Sequence, residues 1–167
     1  MAIAAPNYQE AGSQIRGAAF VSRHGPDGWS PLVKLVQGNP AMPASFASSV
    51  ALSGETLVVG TYNASSLPAL GKADVFVRSG DTWTHQVTLA PPNATTAFGV
   101  SVALQGDDLI VGDDGVELVT VYRRIGGIWT EIQQLAPPTA VPGSRFGESL
   151  AIDGNLIAIG RPYYPTF

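Results

Sequence analysis

The chain has 167 residues, 45% of them hydrophobic and 13% charged, with 19 glycines, 13 prolines, no cysteine and a net charge of −4. That composition is too apolar for a solvated disordered chain and too rich in turn formers for a helical one, and it lacks the Lys/Arg clusters that binding to a phosphate backbone needs. The absence of cysteine excludes disulfides, thiolate metal sites and thiol catalysis, and no apolar run is long enough to span a bilayer.

In chain order, the opening Met-Ala-Ile-Ala-Ala-Pro has neither a basic nor an extended apolar region, so no signal peptide is expected in the chain as given. Segment 2–8 reads as the exit of a strand, and 20–35 as an outer hairpin turned at 23–28 and carrying Trp29. A stretch rich in Pro, Ala and Ser over 36–45 then crosses to FASSVALSGETLVVG at 46–60, two strands joined by a tight turn at Gly54. A long loop at 61–71 precedes the outer pair around Val75 and Trp83. The same order returns with a crossing at 90–97, FGVSVALQGDDLIVG at 98–112, a short loop at 113–116, and an outer pair around Val121 and Trp129. A last crossing, 136–145, leads to FGESLAIDGNLIAIG at 146–160 and an exit holding Tyr163 and Tyr164.

The chain therefore repeats itself. Phe46, Phe98 and Phe146 open equivalent hairpins, and Trp29, Trp83 and Trp129 recur in the outer pairs at separations of 54 and 46 residues. Four short strands at that period predict propeller blades, which bury their faces against neighbouring blades. The expected fold is all-β and of β-propeller type, with two complete four-stranded blades plus half-blades at each terminus, about three repeats in all. The expected boundaries within a single repeat domain, 1–167, are an outer half-blade at 1–37, blades at 46–89 and 98–135, and an inner half-blade at 146–167. The three phenylalanines and three tryptophans are expected to fill the inter-blade core.

Candidate chemistry is sparse. Of the two histidines, His24 falls in the 23–28 turn between outer strands and His85 on an outer strand, and no HExxH, GxSxG, Walker or strand-to-helix GxGxxG pattern occurs. No enzyme is expected; a glycosidase pair of carboxylates would require folding to bring two together. Asp113 and Asp114 are the best adjacent carboxylates and weak metal candidates, though a turn-forming role explains them more readily. Tyr62, Tyr163 and Tyr164 follow the second strands, where loops cluster, and are candidate ligand-binding aromatics. Asn63 and Asn93 open N-x-S/T sequons and are candidate glycosylation acceptors.

The inner hairpins resemble FG-GAP repeats, the blades of the integrin alpha-chain propeller and of many bacterial surface proteins, above all bacterial repeats of the form FGxSVAL-SGD-xLVVGA. Phe98-Gly99 and Phe146-Gly147 carry the signature, whereas Phe46-Ala47 departs from it; the GAP element survives as Gly60-Thr61, Gly112-Asp113 and Gly160-Arg161-Pro162. The resemblance implies a non-catalytic structural or adhesive module in an extracellular or cell-surface setting. It also raises calcium, because many members carry a DxDxDG loop in this hairpin. Here the turns are Ser53-Gly54-Glu55, Gln105-Gly106-Asp107-Asp108 and Asp153-Gly154-Asn155, too few oxygens for an ion that takes six to eight. No cofactor is expected. Resemblance to propeller lectins implies an alternative, carbohydrate binding, and a hydrolase is the least favoured reading.

Segment 2–8, AIAAPNY, is similar to 158–164, AIGRPYY. Both ends of the chain thus read as unfinished sheets, whose open edges invite another strand. Two partners remain open: further blades of a longer chain, or further copies of this chain joined head to tail in a ring or filament. A glycan or protein ligand is compatible with either, while nucleic acid and membrane insertion are not expected.

Overall fold

The computed structural model describes residues 1–9, 16–36, 45–62, 70–91 and 95–162. These residues form antiparallel sheets built from strands consecutive in sequence. The first sheet holds β1 (Ala2–Gln9), β2 (Arg16–Val21) and β5 (Val33–Leu35) in the order β1-β2-β5, with a small hairpin, β3 (His24–Gly25) and β4 (Gly28–Trp29), between β2 and β5. The second is β6 (Ser45–Ser53), β7 (Thr56–Tyr62), β8 (Lys72–Ser79) and β9 (Thr82–Leu89). The third repeats it with β10 (Phe98–Gln105), β11 (Asp108–Asp113), β12 (Leu118–Ile125) and β13 (Ile128–Leu135). The fourth is the pair β14 (Ser149–Asp153) and β15 (Leu156–Gly160). Two complete four-stranded sheets flanked by partial ones are consistent with β-propeller-type blades.

The sheets stack face to face, so the apolar runs serve two interfaces at once. On β7, Leu57 and Val59 face the first sheet while Val58, between them, faces the third, and all three are fully buried. That is why β7 and β11 read as continuous apolar runs and not as alternating ones. The first interface gathers Ala19, Val21, Phe46, Leu57, Val59 and Phe76. The second gathers Val58, Val75, Phe98, Leu109, Val111 and Trp129 among others, and the third Ala103, Ile110, Val119, Val121 and Phe146.

In segment 1–37 the expected strand exit forms β1, Ala2 to Ala5 pairing with Val21 to Ala18 in the second-strand position beside the outer strands. One expectation is corrected. Trp29 is not an inter-blade core residue: it is 58% exposed, whereas Trp129 is 8% exposed. Each outer tryptophan faces the sheet before its own. Trp83 packs on the first-interface cluster and Trp129 lies in the second, but no described sheet precedes Trp29. Its ring rests edge-on against His24, with centroids 5.1 Å apart.

Candidate functional site

The chemistry that recurs in this chain is the chemistry of the seam between sheets. Phe46, Phe98 and Phe146 are all buried, and each is followed by a residue at positive φ: Ala47 at 62°, Gly99 at 86° and Gly147 at 91°. At Phe46 and Phe98 this conformation makes a bulge, with the ladder shifting register before Ser49 and Ser101. The carbonyl that follows Phe then points at the preceding sheet. Ser49 Oγ donates to the Gly99 carbonyl at 2.9 Å, and Ser101 Oγ donates to the Gly147 carbonyl at 2.5 Å.

The seat for that carbonyl is a glycine on the second strand. A Cβ at Gly60 would fall 2.1 Å from the Gly99 oxygen, and one at Gly112 would fall 2.1 Å from the Gly147 oxygen. At the hairpin tips a second contact repeats, from Gly106 N–H to Ser53 Oγ at 2.9 Å and from Gly154 N–H to Gln105 Oε1 at 2.7 Å. Each inner hairpin thus offers the next sheet a hydroxyl donor, a glycine seat and a tip acceptor. In the fourth sheet those elements are Ser149, Gly160 and Asp153; there the three atoms nearest a Cβ at Gly160 all belong to Ser149, and no carbonyl from a following sheet occupies the seat among the described residues. Sequence reasoning misses these serines, although a serine three places after each repeated Phe is the signal that could have found them.

The loop end carries the carboxylates. Asp113 Oδ1 accepts from Thr95 Oγ1 at 3.0 Å, and burial pushes the Asp113 carboxyl above the ordinary aspartate value, against the lowering effect of that bond and of the Val116 and Gly115 backbone. Asp114 is also raised by burial, with Arg145 opposing at 3.3 Å and Glu148 adding a like charge. Asp113 accepts from the backbone of the turn that follows it, and Asp114 pairs with Arg145. Among the described residues no group of three or more His, Cys, Asp or Glu side chains could hold a metal ion. Tyr62, half-buried, joins Thr96, Asp114, Gly143 and Arg145 around an open depression of about 530 Å³. His85 Nε2 is 3.1 Å from Asp74 Oδ1 and 3.1 Å from Thr88 Oγ1, on the outer strands of the second sheet. Another concavity, of about 550 Å³, is lined by Trp29 and Trp83 among others. Tyr163, Tyr164, Asn63 and Asn93 lie outside the described residues.

Residues 29–76 match the sequence profile of the FG-GAP repeat. The matched stretch runs from the outer hairpin of the first sheet to the third strand of the second, and it contains Phe46-Ala47 and the Gly60 seat. No curated protein matches the chain. Among the described residues no helix is long and apolar enough to cross a membrane.

Proposed function

We propose that this chain is a non-catalytic structural module of an extracellular or cell-surface β-propeller, whose work is to stack blades and accept more of them, from a longer chain or from further copies of itself. The observation that carries this reading is the seam, in which the same donor, glycine seat and tip acceptor are used between the second and third sheets and again between the third and fourth. Buried hydrogen-bonded detail is invested in joining sheets and not in a convergent set of reactive groups. FG-GAP repeats typically occur in extracellular proteins, which supports the location, and Asn63 and Asn93 are then the acceptors for any attached glycan. The test is turnover: purified chain incubated with panels of glycoside, ester and peptide substrates is expected to be inert. A saturable rate that persists through purification and falls on Asp113→Asn or Asp114→Asn substitution would overturn the reading.

A second reading, carbohydrate recognition, is favoured by the depression in which Tyr62 stands beside Asp114 and Arg145. An aromatic face next to hydrogen-bonding charged groups suits a sugar ring. Specific binding on a glycan array, lost on Tyr62→Ala, would support it, and an array without hits would remove it.

A further inference from the structure

Among the described residues the seam between the first and second sheets is incomplete. In the first sheet β1 occupies the second-strand position, since Ala4 pairs with Ala19 as Gly60 pairs with Ala73 and Gly112 with Val119. The seat for the carbonyl of Ala47 is therefore an alanine, where the two filled seams use glycine. Among the described residues the sheet runs β1-β2-β5, with no strand paired to the other edge of β1. Among the described residues of this sheet, none stands in the position of Ser49 or Ser101 to donate to the Ala47 carbonyl, and none in the position of Ser53 or Gln105 to accept from the Gly54 N–H.

The fourth sheet has the complementary surplus. Ser149 pairs with Gly160 as Ser49 pairs with Gly60 and Ser101 with Gly112, and Ser149 is exposed. Asp153 is equally exposed at its hairpin tip, and among the described residues no strand pairs with β15 on the side where β7 and β11 have a third strand. Exposed apolar groups match as well. Trp129 meets Gln86, the residue left unpaired where β9 bulges between its pairings with Val75 and Phe76. The equivalent bulge in β13 leaves Ile132, which is 46% exposed, while Trp29 is 58% exposed.

We propose that two copies of this chain join by strand exchange, the β14–β15 hairpin of one replacing β1 of the other to complete a four-stranded blade with β2 and β5. This rests on the blade-stacking reading above and names its partner. In the joined state Gly160 takes the place of Ala4 beside Ala19 and seats the Ala47 carbonyl, and Ser149 donates to that carbonyl. Asp153 accepts from the Gly54 N–H, and Trp29 covers Ile132 of the donor copy. Exchange gives up the β1–β2 ladder and gains an equivalent β15–β2 ladder. Its net gain is the seam contacts and the covered apolar surface, so association is reversible and concentration-dependent.

The test uses the 167-residue chain. Light scattering over a concentration series is expected to show dimers or longer species. Gly160→Val, which fills the carbonyl seat on an open face, and Ser149→Ala, which removes the donor, should each weaken association about tenfold or more, the equivalent of one lost hydrogen bond. Trp29→Ala and Ile132→Lys, both at exposed positions that should spare the fold, remove the covering ring and charge the surface it covers, and each should likewise weaken association. A chain that stays monomeric at every concentration, or that associates with undiminished affinity in Gly160→Val and Ser149→Ala, overturns the exchange. A monomer that is also inert toward the hydrolase panels leaves the structural-module reading standing, so the two fail separately.

Discussion

Trp129 Nε1 donates to Gln86 Oε1 at 3.2 Å, tying the outer hairpin of the third sheet to the outer strand of the second. The contact depends on an irregularity. Because β9 bulges at Gln86, that side chain is not held in the ladder and can reach the neighbouring sheet. On its other side the Trp129 ring lies under the Arg124 guanidinium, 5.1 Å from the ring centroid, and Arg124 Nη1 also donates to Thr56 Oγ1 at 3.0 Å. The outer rim of the seam is therefore polar and specific, and the interior is apolar.

The tryptophans should accordingly differ in energetic weight. Trp129→Ala removes a ring that is 8% exposed and should cost about 3–5 kcal/mol, whereas Trp29→Ala in dilute solution should cost less than about 1 kcal/mol. Urea unfolding of the two variants provides the measurement. Equal losses would mean that Trp29 is covered in solution by something not described here, contrary to its exposure.

The glycine seats make a second contrast. Alanine at Gly112 would place a methyl 2.1 Å from a backbone oxygen of the next sheet, which can move only by separating the sheets. A loss of about 1–3 kcal/mol is expected. The same change at Gly160 meets first the Ser149 hydroxyl, the end of a rotatable side chain on an exposed strand, and should shift stability by no more than about 0.5 kcal/mol. Hydrogen exchange should show the third and fourth sheets parting in Gly112→Ala and not in Gly160→Ala.

Asp113 gives a pH-dependent outcome. Burial raises its folded-state pKa above the ordinary 3.8, so the folded state holds this proton more tightly than the unfolded chain does. The resulting stability is fully present below the ordinary value and disappears as pH rises through the elevated one. At neutral pH the buried charge is a cost that Asp113→Asn removes while keeping an acceptor for Thr95. The variant should be at least as stable as the parent at neutral pH, and its advantage should close as the solution is acidified. A variant that is less stable at neutral pH would show that the hydrogen bonds to the ionised carboxylate outweigh its desolvation.

Much of this architecture is legible in one chain because repetition turns a weak pattern into a strong one. Three hairpins opening on Phe46, Phe98 and Phe146, each turning at a Gly and closing on a Gly, define the inner strands without ambiguity. What repetition hides is context. It assigns Trp29 the environment of Trp83 and Trp129, yet the environment of each ring is set by the sheet before it, and the first sheet has none described. It shows that Gly60 and Gly112 recur but not that a carbonyl from the next sheet presses on them, because that contact joins residues 39 and 35 places apart in different blades. The equivalence of Ala4 to those glycines is visible only from the strand register.

Opposite substitutions at equivalent bulges should not be mirror images. Ala47 holds φ at 62° where Gly99 stands at 86°, and a left-handed alanine costs about 1–2 kcal/mol relative to glycine. Ala47→Gly relieves that strain, but it increases the entropy of the unfolded chain by about 0.5–1 kcal/mol and deletes a fully buried methyl worth about 0.8 kcal/mol. These terms nearly cancel, so the thermal midpoint should barely move. Gly99→Ala adds the same strain and also places a Cβ 2.3 Å from the Lys72 carbonyl oxygen, a backbone atom with no room to retreat inside the second interface. Its loss should exceed about 2 kcal/mol. Parallel thermal and urea unfolding of the two variants measures both, and a Gly99→Ala protein as stable as the parent would mean that the bulge carbonyl is not held against the neighbouring sheet in solution.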